Sequence, residues 1–237
     1  MIRRMLWLVM AAGIGGGCKS VETLLDPSYV GPFRSQYNYV SRPVPGGAVI
    51  RRVAVLPVVG REDGGRGDLG AGSDMVQPML LEELRLSRAF EVVGFNPSHE
   101  SRLSGPSGYR VTDVLPPTLL NEVLEATGAD AVLFTQVTGF HAYPPLVLGL
   151  KFSLVFCREP LVVWEFDDVF NAGDPPTLNA VRRYLREHQS EEDETVEGIT
   201  LSSPRRLSRF ALSTALGTLP RSGPKPVEAK KEVKSPH

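Results

Sequence analysis

Leu148-Gly149-Leu150-Lys151-Phe152-Ser153-Leu154-Val155-Phe156 decides the fold of this chain. Large apolar residues fill every second place, with Gly, Lys, Ser and Val between them. A repeat of two is the repeat of a β-strand, whose successive side chains point to opposite sides of the sheet. This strand therefore buries one side. Arg158-Glu159-Pro160 breaks the run, and Val162, Trp164 and Phe166 take up the same spacing on the way back. Two such runs around a short proline-bearing turn form an antiparallel hairpin.

Upstream, strands and helices alternate. Arg52-Val53-Ala54-Val55-Leu56, stopped by Pro57, reads as a buried first strand. A glycine-rich loop leads to an amphipathic stretch with Val76, Met79, Leu80 and Leu84 on one face. Pro78 lacks an amide donor, so this helix is expected to begin late or to kink. Phe90 to Phe95 gives a second strand. Pro116-Pro117 opens a second helix, striped by Leu119, Leu120, Val123 and Leu124 and closed by Gly128. Ala131 to Val137 is another apolar, β-branched run. Beyond the hairpin, Asp174-Pro175 starts a third helix carrying Leu178, Val181, Tyr184 and Leu185. An acidic stretch, Glu191 to Glu194, then loops out, and Ser203-Pro204 starts a last helix with Leu207, Phe210, Ala211 and Thr214 inward. The alternation argues for parallel pairing and the hairpin adds antiparallel strands, so the expected class is α/β, a mixed sheet flanked by helices.

The ends read differently. Arg3 and Arg4, the apolar run Met5 to Ile14 and Gly15-Gly16-Gly17 make residues 1–17 a signal peptide. As a helix Met5 to Gly17 reaches only about 20 Å, short of a bilayer core of about 30 Å. The small residues before Cys18 resemble the recognition site of the lipoprotein signal peptidase, although Gly15 stands where an aliphatic residue is usual. The alternative is an ordinary signal peptide with an incidental cysteine. With lipid on Cys18, Cys157 is the only thiol left for the exported chain, so no internal disulfide forms. Lys19 follows in place of an inner-membrane aspartate, which favours the periplasmic face of the outer membrane. Residues 18–48 are expected to be a flexible tether with a coil-like reach of roughly 30 Å. Its Tyr29, Phe33, Tyr37 and Tyr39 dock either on the domain or on a partner. Residues 49–220 form the α/β domain. Residues 221–237 alternate Lys, Glu and Pro with almost nothing to bury, and are expected to be disordered.

The strand-and-helix order behind a lipid anchor resembles a superfamily that includes the curli secretion-channel lipoprotein, the amino-terminal domain of TolB and lipoprotein activators of peptidoglycan synthesis. The residues carrying it are Val53-Ala54-Val55-Leu56-Pro57, Arg88-Ala89-Phe90-Glu91-Val92-Val93 and Gly128-Ala129-Asp130-Ala131-Val132-Leu133, with the hairpin through Leu154 and Trp164. The match covers Val53 to Phe170. The resemblance implies a noncatalytic envelope protein that works by binding other envelope proteins. A secretion-channel subunit is an alternative, but no pair of segments supplies the membrane hairpins that the pore-forming members need.

Composition narrows the remaining chemistry. Without Arg3 and Arg4 the chain holds 24 basic and 27 acidic residues, a net of −3, which is no footprint for nucleic acid. Gly65-Arg66-Gly67-Asp68-Leu69-Gly70 has the spacing of a dinucleotide loop, yet several residues separate it from the first strand, and the second strand ends without a ribose-binding acid. No dinucleotide or other cofactor is expected. Glu165 and Asp167 share one side of a strand, and a carbohydrate-active hydrolase using these paired carboxylates is a further alternative. The hairpin register brings Lys151 beside them, and a solvated charge cluster is the plainer account. His99, His141 and His188 are scattered, with no metal spacing. Arg205, Arg206 and Arg209 crowd the start of the last helix, where the dipole disfavours cations. They meet either the acidic loop Glu191 to Glu194 or an acidic partner, and are the candidate partner-binding residues. Arg182, Arg183 and Arg186 form a second basic face.

Overall fold

The computed structural model describes residues 33–60, 69–97, 109, 117–188 and 203–220. Among them one sheet of seven strands forms, flanked by four helices. The strands are β1 (Tyr39–Ser41), β2 (Arg52–Val55), β3 (Val59–Gly60), β4 (Glu91–Gly94), β5 (Ala131–His141), β6 (Val147–Phe156) and β7 (Leu161–Asn171). The helices are α1 (Leu69–Ser87), α2 (Pro117–Thr127), α3 (Pro175–His188) and α4 (Pro204–Leu216). Across the sheet the order is β1-β7-β6-β5-β2-β4, and β3 pairs with β5 beyond the end of β2. β2 is parallel to both β4 and β5, whereas β5, β6, β7 and β1 are antiparallel in succession. This is the mixed α/β sheet that the alternation and the hairpin implied.

The sheet separates two cores. On one side Val53, Val55, Leu133, Leu150, Phe152, Leu154, Trp164 and Phe166 pack under α1, α3 and α4. On the other Ala54, Leu56, Val132, Phe134 and Val155 pack with Leu119, Leu120 and Val123 of α2. Adjacent residues of one strand thus serve opposite cores, which requires the strict alternation seen in β6. Trp164 is fully buried and its indole N–H donates to Thr218 Oγ1 at 3.1 Å.

Three features depart from the sequence reading. First, Val162 does not share the side of Trp164. Leu154 faces Trp164 but Val155 faces Val162, so Val163 is an extra residue in the ladder. This bulge sends Val163 into the larger core and Val162 onto the smaller one. Second, the helix carrying Pro78 begins well before it, at Leu69, and continues past it to Ser87. Pro78 and Asp74 are both exposed, so the carbonyl that loses its helical donor faces water. Third, the stretch expected as the end of the tether is part of the sheet. β1 pairs Tyr39 with Phe166 and Ser41 with Trp164, and the Arg42 amide donates to Val163 O at 2.8 Å. All three β1 side chains are exposed, so no alternation marks the strand. Its hydrogen bonds come from the open edge of β7, far away in sequence.

Gly128 and Gly149 are each required by geometry. Gly128 closes α2 with φ +64°, its amide reaching Leu124 O at 2.9 Å. Gly149 lies where β5 shifts register against β6, and a Cβ there would stand 2.9 Å from Gly139 N and collide with Thr138 Oγ1.

Candidate functional site

Among the described residues, the sheet side that carries α2 is not covered to its end. α2 lies over β2 and β5, and the far strands turn Lys151, Glu165, Asp167 and Val169 outward. Lys151 stands directly opposite Asp167, as the hairpin register implied, and Nζ lies 3.0 Å from Asp167 Oδ2. Arg42 Nη1 reaches Glu165 Oε2 at 3.2 Å and Val162 O at the same distance. The two carboxylates are 43% and 48% exposed and each holds its own cation. These two share one environment, a solvated ion pair on an open face. Ser153, in register with Glu165, and Gln136, opposite Lys151, are buried between them and α2.

The helical side holds a second polar cluster. Arg209 of α4 reaches Glu82 Oε2 and Glu83 Oε1 of α1, each at 3.5 Å. The acidic loop named as its alternative partner lies outside the described residues. Glu83 is partly buried, and burial pushes its carboxyl above the ordinary range while Arg209 draws it back. Tyr184 of α3 packs alongside, its phenol raised by burial and lowered by a hydrogen bond with Ser213. His188 stacks on Tyr184 at 4.2 Å, its Nδ1–H donating to Tyr184 O at 2.8 Å. Beside this cluster a cleft of about 520 Å3 opens between the ends of α1 and α4, lined by Glu83, Leu86, Arg88, Ser213, Leu216 and Leu219. Arg205 is exposed, and Arg183 pairs with Glu187 at 2.8 Å.

Other residues singled out by the sequence are dispersed. His141 is exposed, with Nδ1–H donating to Pro145 O at 3.1 Å and its ring edge-on to Tyr143. Cys157 is buried at the end of β6, and burial pushes its thiol up to about 11. Among the described residues no three His, Cys, Asp or Glu side chains gather in a metal-binding group. Cys18, His99 and Gly65 to Asp68 lie outside the described residues, and Leu69-Gly70 is the first part of α1.

The best-built constellation was not legible in the sequence. Arg34 Nη1 donates to Val169 O at 2.7 Å, and Nη2 pairs with Asp168 Oδ1. Asp168 Oδ2 in turn accepts the Asn38 amide at 3.3 Å. The Arg34 guanidinium lies 5.3 Å from the Tyr37 ring centre and 5.5 Å from that of Phe170, and its backbone amide donates to Pro176 O at 3.1 Å. Phe33 meets the guanidinium of Arg183 at 5.7 Å. Residues 33–38 are thus clamped to the end of β7 and the start of α3. The aromatic spacing of Phe33, Tyr37 and Tyr39 signalled docking, but nothing local names Asp168 as the partner.

No family model matches the chain, and no curated protein sequence matches it either. Solved structures do resemble it. A PelC dodecamer from Paraburkholderia phytofirmans is 15% identical over 58% of this chain and 82% of its own, with a TM-score of 0.38. The hypothetical protein CT253 from Chlamydia trachomatis is 13% identical over 70% of this chain and 95% of its own, with a TM-score of 0.42. TolB from Acinetobacter baumannii is 11% identical over 65% of this chain and 31% of its own, with a TM-score of 0.30. TolB, whose amino-terminal domain is among the proteins named for the sequence resemblance, is one of these structures. At such scores the fold stands on its own strand registers.

Proposed function

We propose that the chain is a lipid-anchored cell-envelope binding or assembly module with no catalysis of its own, held by lipid on Cys18 at the periplasmic face of the outer membrane. The observation that carries this reading is the clamp at Arg34. The segment downstream of the anchor is built into the sheet as β1, so the domain is held within a short, fixed length of chain from Cys18. Such a device suits a protein whose action depends on where it is tied. The ion-paired, solvated state of Glu165 and Asp167 supports the noncatalytic half of the reading. Other envelope proteins are the partners, with Arg205, Arg206 and Arg209 as candidate contacts. Arg209 already has Glu82 and Glu83 beside it, which leaves exposed Arg205 the best placed of the three.

The test is affinity capture from crosslinked envelopes, comparing the unaltered chain with Cys18→Ala and with Arg205→Glu. Specific envelope proteins are expected with the unaltered chain and lost with Cys18→Ala. Capture of the same set by both, or of no specific protein by either, overturns the reading. Glu165→Gln with Asp167→Asn is expected to leave the captured set unchanged.

A further inference from the structure

We propose that the pole of the domain where the tether enters is its membrane-facing surface, with Tyr143 at the bilayer–water interface; this rests on the lipid anchor at Cys18. Arg34 fixes the entry point against Val169 and Pro176. From Val169, β7 runs on to Asn171, which pairs with Val147 at the start of β6. Ala172 N–H then donates to Leu146 O at 2.8 Å, and a Cβ added to Gly173 would stand 3.0 Å from that of Pro145. The turn between β5 and β6 therefore shares this pole with the tether entry.

Chain length bears on which pole faces the membrane. Cys18 and Phe33 are fifteen residues apart, which spans about 50 Å at most, whatever the conformation. A compact body of the size of residues 33–220 has a radius of roughly 20 Å. With the entry pole turned away from the membrane, the tether has to run down the side of the body, about 50 Å, so that orientation takes a fully extended tether, whereas the entry pole rests on the membrane with chain to spare.

The turns at the two ends of β6 differ in the same sense. Residues Ala142 to Val147 (Ala-Tyr-Pro-Pro-Leu-Val) carry no charge. Tyr143 is 72% exposed, and the exposed Pro144 and Pro145 restrict the backbone beneath it. A tyrosine offers an apolar ring and a polar hydroxyl, the combination that settles at the headgroup level of a bilayer. At the other end of β6 the turn into β7 presents exposed Arg158 and Glu159.

The test uses the full lipidated chain in phosphatidylethanolamine–phosphatidylglycerol vesicles, with a nitroxide on Ala142→Cys or on Glu159→Cys. Buried Cys157 does not compete for the label. On transfer from detergent to vesicles, the label at 142 is expected to lose several-fold of its accessibility to a water-borne nickel chelate, while the label at 159 keeps its own. Adding Tyr143→Asp restores access at 142. Equal access at both positions, or loss at 159 alone, overturns the proposed orientation while lipid on Cys18, read by mass, leaves the anchor standing. A mass without lipid removes the anchor and the orientation together.

Discussion

Cys157 follows β6 on the edge of the smaller core, and the loss of water around it favours the neutral thiol. Its folded pKa of about 11 exceeds the ordinary value of 9.0. The folded chain therefore holds this proton more tightly than the unfolded chain does. The resulting stability is present below the ordinary value and is lost as the pH rises from about 9 to about 11. A difference of two pKa units is worth about 2–3 kcal/mol. Denaturant melts of the unaltered chain and of Cys157→Ala should converge by that amount across this range; parallel curves would contradict it. Gly149 tests packing rather than charge. Gly149→Ala drives a methyl group into Thr138 and the Gly139 backbone, and overpacking of this kind costs about 1–3 kcal/mol. A melt should show the loss directly.

Among the elements, the hairpin of β6 and β7 was read from sequence to within a residue because its partners are local and its alternation is strict. The bulge at Val163 was not, since three consecutive valine-or-leucine positions, Leu161 to Val163, do not say which is the extra one. β1 is not legible in the sequence because its side chains all face solvent and its ladder is supplied by a strand more than a hundred residues away. Its stability rests on Arg34 and Asp168, whose side chains are only 22% and 10% exposed. Arg34→Ala leaves Asp168 without its cation and costs about 1–3 kcal/mol. The loss is local. Hydrogen exchange should quicken at the Arg42 and Asp167 amides, which bond across β1 and β7, and stay slow in the ladder between β5 and β6. Uniform acceleration through the sheet would show that β1 is not a separable element.

For the molecule as a whole, the two cores share every central strand, so neither can come apart while the other stands. Trp164, the only tryptophan after residue 17, reports on the larger core, and Cys157 reports on the smaller. Leu119→Ala, in the smaller core, is expected to cost about 2–5 kcal/mol. It should lower the tryptophan fluorescence midpoint and the thiol-accessibility midpoint together; separate transitions would show that the sheet does not couple its faces. The candidate sites were less legible than this framework. The cross-strand pairing of Lys151 with Asp167 followed from the hairpin register. The meeting of Glu83, Arg209 and Tyr184 did not, because it needs three helices from distant parts of the chain to arrive at one place.

The clamp at the start of β1 also has a mechanical side. Any pull on the chain upstream of Phe33 is borne by Phe33 against Arg183 and by Arg34, before the ladder between β1 and β7 feels it. Were that grip to yield, Phe33 to Arg42 would pay out as slack and lengthen the leash by about 30 Å. The domain would keep both cores and lose only its outermost strand. The same short segment thus sets the resting reach of the molecule and holds its reserve of length.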